Sequence, residues 1–127
     1  MIEVVDLHVT FANGGRPIHA VQGVSFALAA GETFGIVGES GSGKSTVLKA
    51  VAGLVPVTAT RFVIDGKPAT SRRSRQDRRK MQYVFQDPYA SLHPRQTVDD
   101  ILREPLLIHG ESNVDERVRT AIAEVGL

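Results

Sequence analysis

Residues 38–46 read Gly-Glu-Ser-Gly-Ser-Gly-Lys-Ser-Thr. The spacing is G-x-x-x-x-G-K-S/T, the pattern of a loop that holds a polyphosphate. Gly38, Gly41 and Gly43 free the backbone for conformations and close approaches that side chains would forbid. Successive N–H groups, including those of Ser40 and Ser42, can then point inward as an anion nest. A helix opened by this loop adds the positive end of its dipole. Lys44 is placed to reach the β- and γ-phosphates, the Ser45 hydroxyl to ligate Mg²⁺, and Thr46 to add a hydroxyl near the α-phosphate. The competing explanation is a Gly/Ser-rich surface loop with a stray lysine. The neighbouring sequence opposes it.

Such a loop needs a strand before it and a helix after it. Residues 33–37 (Thr-Phe-Gly-Ile-Val) are short, apolar and partly β-branched, which predicts a buried strand with neighbours on both edges. Residues 44–54 predict a helix with Val47, Leu48, Val51 and Leu54 on one face, stopped by Gly53 and Pro56. Upstream, residues 1–11 alternate and are β-branched, with Ile2, Val4, Val5, Leu7, Val9 and Phe11. Residues 19–30 place Val24, Phe26 and Leu28 on one face. With Asn13-Gly14-Gly15 as a turn signal, the two stretches predict an antiparallel pair.

Downstream, residues 61–64 predict a short strand ended by a hairpin turn at Asp65-Gly66. Residues 62–65 could be taken for a strand ending in a metal-binding aspartate. The apolar run is only three residues and the Asp-Gly pair is a turn, so Asp65 reads as structural. Residues 72–80 hold six basic side chains and one acid. No aromatic residue interleaves them, so the run reads as a solvated helix face rather than a nucleic-acid platform. Residues 81–85 return to strand character and deliver Gln86 into a Pro-containing loop. Thr97-Val98-Asp99-Asp100 and Ser112-Asn113-Val114-Asp115 each resemble a capping-box helix start. Pro105 is expected to kink or restart the first of these helices, and Gly126 to end the second.

Composition bounds the remaining possibilities. The 127 residues suit one domain, with 42% hydrophobic and 23% charged residues and a net charge of +1, so no global field points to nucleic acid. The absence of cysteine removes disulfides, thiolate catalysis and cysteine-ligated zinc. His8, His19, His93 and His109 lack metal-ligand spacing and read as surface or half-buried residues. No apolar run approaches the ~20 residues a membrane helix needs.

An antiparallel unit before the loop, a second short antiparallel stretch after its helix, and a strand leading to Gln86 form a combination that resembles the ATP-binding domain of ABC transporters. The resemblance extends over residues 1–127. The stretch from Tyr83 to Val98, including Phe85-Gln86-Asp87-Pro88-Tyr89-Ala90-Ser91-Leu92-His93-Pro94, is similar to bacterial dipeptide, oligopeptide and nickel importers, with His93 where that subfamily usually has Asn. The resemblance implies an α/β fold. It would be a P-loop NTPase core with an antiparallel β subdomain, divided into an N-terminal part at 1–97 and the start of an α-helical subdomain at 98–127.

The resemblance also implies roles. Lys44 and Gln86 would serve ATP hydrolysis, with Gln86 touching Mg²⁺ or the attacking water. A neutral amide that both donates and accepts suits that position. Phe11 would stack on adenine, which needs a flat apolar face. Ala20 would lie under the ribose. ATP and Mg²⁺ are the implied ligands. Membrane permease subunits, a second ATPase subunit and, indirectly, a solute-binding protein are the implied partners. They would place the protein in the cytoplasm, peripheral on the inner face of the membrane. The signature, Walker B and switch-histidine segments are expected beyond Leu127, in a longer protein. Residues 1–127 alone would then expose sheet edges and self-associate. Two other functional readings stay open at this point. One is a soluble ABC-type ATPase acting on nucleic acid or ribosomes. The other is a nucleotide-binding module without turnover.

Overall fold

The computed structural model describes residues 1–87 and 92–126, together with the backbone but not the side chain of Asn13. It divides into two compact units, Met1–Met81 and Gln82–Leu127. Two long strands, β1 (Ile2–Asn13) and β2 (Arg16–Leu28), pair antiparallel across a two-residue turn. Gly14 and Gly15 carry that turn at φ 53° and 87°, values that favour glycine. Strand β2 therefore begins three residues before the start that the sequence predicts at His19. Strands β3 (Arg61–Ile64) and β4 (Lys67–Pro68) complete a sheet of order β2-β1-β3-β4. Every pairing in it is antiparallel. The hairpin at Asp65-Gly66 forms as predicted, with φ 49° and 75°. The Asp65 carboxylate accepts from the Met1 ammonium at 3.0 Å, which holds it below the usual carboxylate range. Asp65 thus serves a turn.

The core side of β1 is set by a bulge. Strict alternation from Val4 would bury residue 6, yet the buried residues are Val4, Leu7 and Val9. Asp6 takes φ 56°, the register shifts between Val4 and Leu7, and the inside–outside parity is reset. The Asp6 carboxylate meets His8 Nε2 at 2.9 Å and accepts from the Thr60 hydroxyl at 3.2 Å, so the extra residue faces outward with polar partners. Val21 and Phe62 join Val4, Leu7 and Val9, and the helix α1 (Lys44–Val51) closes the cluster with Val47 and Ala50.

This helix is shorter than the 44–54 stretch predicted, and its inward face differs. Leu48 and Leu54 are half exposed, while Val47 and the small Ala50 are buried. A close helix–sheet approach selects alanine over leucine at the contact. The helix ends in a Schellman motif: Gly53 N–H donates to the Ala50 carbonyl at 3.0 Å and Leu54 N–H to the Lys49 carbonyl at 2.8 Å. The Val51 carbonyl, left over, accepts from Arg73 Nη2 at 2.9 Å. The same guanidinium lies 5.0 Å from the centre of the Phe62 ring. Gly53 must be glycine twice over, since φ is 75° and a Cβ would sit 2.7 Å from Arg73 Cγ. Of the basic run, Arg73 is thus a structural clamp. The short α2 (Arg75–Arg79), capped by Ser74, is exposed along its length.

Two predicted strands do not form ladders. Residues 33–37 and 81–85 are irregular. A strand satisfies its backbone only through a neighbour, and none pairs with either stretch among the described residues. Phe34 stacks on Phe26 of β2 at 5.2 Å, but Val37 is 95% and Val84 93% exposed.

In the second unit, α3 (Val98–His109) packs on α4 (Val114–Glu124). The Thr97–Asp100 capping box forms in full. Helix α3 runs on through Pro105 without restarting, and Gly110 closes it at φ 67°. The second predicted box does not form. Asn113 takes φ 56° with no side-chain cap, and the helix begins when Arg117 N–H bonds to the Asn113 carbonyl. Arg103 bridges the pair, donating to Asp99 one turn back and to Asp115 on α4. Gly126 follows α4 at φ 78°. Among the described residues no helix is long and apolar enough to cross a membrane.

Candidate functional site

The glycine-rich loop runs from residue 38 into α1, with Gly43 as the N-cap at φ 93°. No side chain caps the helix, and its first turn holds no acidic residue. The leading N–H groups of α1 are therefore left for an outside acceptor, with no acidic side chain in the first helical turn to oppose an anion. Two close approaches shape the loop. A Cβ on Gly43 would lie 2.6 Å from the Ala20 carbonyl of β2, so loop and strand abut there. A Cβ on Gly38 would lie 2.9 Å from Ser42 Oγ. The fingerprint glycine at 43 is thus required by contact with backbone as well as by flexibility, whereas at 38 the Ser42 hydroxyl could turn aside.

Lys44 reaches back across the loop. Its Nζ donates to the Gly38 carbonyl at 2.8 Å and to the Glu39 carbonyl at 2.5 Å. The ammonium is held over the concave side by oxygens that a phosphate oxygen can replace. Beside it opens a cleft of about 420 Å³, walled by Ile18, His19 and Ala20 of β2 and by Gly41, Ser42, Gly43, Lys44, Ser45 and Thr46. That volume lies within the range of small-molecule sites.

The structure brings together Ala20, Gly41, Ser42, Gly43, Lys44, Ser45 and Thr46 in this one cleft. Gly38 joins them through its carbonyl. Ser40 is an exposed loop residue outside the cleft wall. Phe11 is half-buried against the core cluster, and its cross-strand partner Ile18 lines the cleft in its stead. Gln86 is exposed in the second unit, in the irregular stretch after residue 85. The proline-containing loop continues through residues 88–91, which lie outside the described residues. Sequence reasoning missed Ile18 because it began β2 at residue 19, and it set His19 aside as a histidine without metal-ligand spacing. The Gly14-Gly15 pair was the available signal. A two-residue hairpin there starts the return strand at residue 16 and carries positions 18 and 19 alongside Ala20.

A family model described as "ABC transporter" matches residues 21–127. Over its whole length the chain is 41% identical to the oligopeptide transport ATP-binding protein OppF of Streptococcus pyogenes serotype M1, covering 44% of that protein. The chain therefore spans less than half the length of the curated relatives it matches. Among solved structures, 97% of the chain superposes on 55% of a dimeric form of MJ0796, a bacterial ABC transporter cassette, with TM-score 0.79 and 29% identity. A dimeric post-hydrolysis state of the MJ0796 ATP-binding cassette, bound to ADP and Pi, matches with TM-score 0.75 at 28% identity and the same coverage. With more than half its residues matched by the family model and the ATP-binding cassette fold around its phosphate loop, the chain belongs to the ABC transporter family.

Proposed function

We propose that the protein is the ATP-binding subunit of an ABC importer. It would couple ATP binding and hydrolysis to solute import, of peptides by the similarity to OppF, through membrane permease subunits. The observation that carries this reading is the cleft in which an uncapped helix start, the glycine loop and the Lys44 ammonium converge beside Ala20.

Binding begins as an exchange. Lys44 leaves the Gly38 and Glu39 carbonyls for the β- and γ-phosphate oxygens, and the free N–H groups at the start of α1 take the remainder. Ser45 presents its hydroxyl in the same cleft. Among the described residues no three His, Asp or Glu side chains gather as a metal site. Ser45 would hold Mg²⁺ together with phosphate oxygens, a mode that suits an ion reluctant to give up its waters. Bound there, Mg²⁺ supplies neutralisation of charge on the phosphoryl groups. Phe11, half-buried beside its cross-strand partner Ile18 of the cleft wall, would stack on the adenine, and Ala20 would leave room for the ribose. Gln86 orients the attacking water and sits at the permease-facing loop. Two such subunits close on each other around nucleotide, and a solute-binding protein delivers cargo on the far side of the membrane. The protein acts in the cytoplasm, held to the membrane by its permease.

The test is ATP binding and turnover by the intact protein and by its Lys44→Ala variant. The substitution should weaken ATP binding by at least tenfold and abolish turnover. Unchanged affinity and turnover would overturn the assignment.

A further inference from the structure

Among the described residues, the wall of the cleft contains one ionisable side chain that the ATP-binding reading leaves unused. We propose that His19 is a phosphate-contacting residue of this site, and that Thr10 positions it. The inference rests on the ATP-binding reading and adds to it a third element, contributed by the antiparallel sheet rather than by the loop.

His19 lines the cleft from β2, one residue before Ala20, whose carbonyl meets Gly43. The Ala20 carbonyl, one residue on, is the group a Gly43 Cβ would strike, so the backbone at 19–20 lies against the loop that gathers the phosphates. Thr10 and His19 face each other in register on β1 and β2. Thr10 Oγ1 lies 3.1 Å from His19 Nδ1. With the hydroxyl donating to Nδ1, the ring proton resides on Nε2, which has no partner among the described residues. In that tautomer the ring presents an N–H, and Thr10 holds its orientation from the neighbouring strand.

The surroundings favour an anion as its acceptor. Among the described residues Lys44 is the only other ionisable side chain in the cleft wall, and it is cationic. The rest of the wall offers hydroxyls, glycine and aliphatic side chains, and no carboxylate competes for the imidazole. A donor of this kind, aimed into a cleft floored by free amide N–H groups, matches a phosphate oxygen better than a carbonyl or an apolar ring.

The intact protein provides the test, with ATP and inorganic tripolyphosphate as probes. Thr10 and His19 are exposed, so the variants should melt at the wild-type temperature. His19→Phe should weaken both ATP and tripolyphosphate by about 10-fold or more, the loss of one hydrogen bond to a charged group. His19→Gln, which keeps a donor, should recover most of it. Thr10→Val should lose part of the affinity and Thr10→Ser restore it, a rescue that packing alone would not produce. Wild-type affinity for both probes in His19→Phe would overturn the inference while leaving ATP binding intact. A loss for ATP with tripolyphosphate unaffected would overturn the phosphate contact in favour of sugar or base. Equal losses in Thr10→Val and Thr10→Ser would overturn the positioning role. If the wild type bound neither probe, the nucleotide reading itself would fall, and His19 with it.

Discussion

At the scale of single residues, two glycines of one loop separate conformational from steric necessity. Gly41 and Gly43 both have positive φ, 80° and 93°, so a side chain at either costs backbone strain of about 1–2 kcal/mol. They differ in surroundings. Nothing lies within 4 Å of a Cβ on Gly41, whereas a Cβ on Gly43 falls 2.6 Å from the Ala20 carbonyl, a backbone atom that cannot swing aside. Gly43→Ala must therefore push the loop off β2 and distort the cleft, while Gly41→Ala pays only the torsional cost. We expect Gly43→Ala to lower stability by about 1–3 kcal/mol more than Gly41→Ala and to reduce ATP affinity at least tenfold further. Chemical denaturation and titration with ATP check both halves. Equal effects of the two substitutions would show that the approach to Ala20 carries no weight. The fingerprint spelling makes these glycines visible in the sequence, but the partner that makes Gly43 indispensable is a strand carbonyl more than twenty residues earlier, which no local pattern announces.

At the scale of elements, legibility followed how local the cause was. The Thr97–Asp100 box and the Asp65-Gly66 and Gly14-Gly15 turns depend on a few adjacent residues, and each formed as the sequence predicts. The inward face of α1 and the parity of β1 depend on packing across the chain. The sequence therefore put Leu48 and Leu54 where Ala50 belongs, and did not anticipate the bulge at Asp6. Arg103 is a further long-range tie that composition hides, joining Asp99 on its own helix to Asp115 on α4. The guanidinium holds the Asp115 carboxyl below its ordinary value of 3.8. A carboxyl depressed in the folded state contributes stability above its unfolded pKa and loses it as pH falls through the folded one. The α3–α4 contact should therefore be constant through neutral pH and weaken below about pH 4, as Asp115 is protonated. Arg103→Met should remove that part of the acid transition. Helical circular dichroism followed from pH 7 to 2 tests this, and identical acid curves for the two proteins would dismiss the tie.

At the scale of the whole molecule, the unsatisfied features share one character. Residues 33–37 and 81–85 carry strand-type sequence, yet they lack ladder partners among the described residues and leave Val37 and Val84 almost fully exposed. The phosphate loop itself is fully shaped, because its contacts come from β2 and α1, which pair locally. The strand-type stretches at 33–37 and 81–85 are not, because a buried strand needs neighbours distant in sequence. An apolar, unpaired stretch next to a well-formed site is a template for another chain. Residues 1–127 by themselves should therefore self-associate through these stretches, with ATP binding retained in the associated form. Light scattering coupled to gel filtration should give a mass above the 13.7 kDa monomer. The double substitution Val37→Lys and Val84→Lys should shift it toward the monomer, because a charge on an unpaired edge opposes strand addition. A sharp monomeric peak for the unsubstituted chain, or association indifferent to the two lysines, would place the sticky surface elsewhere.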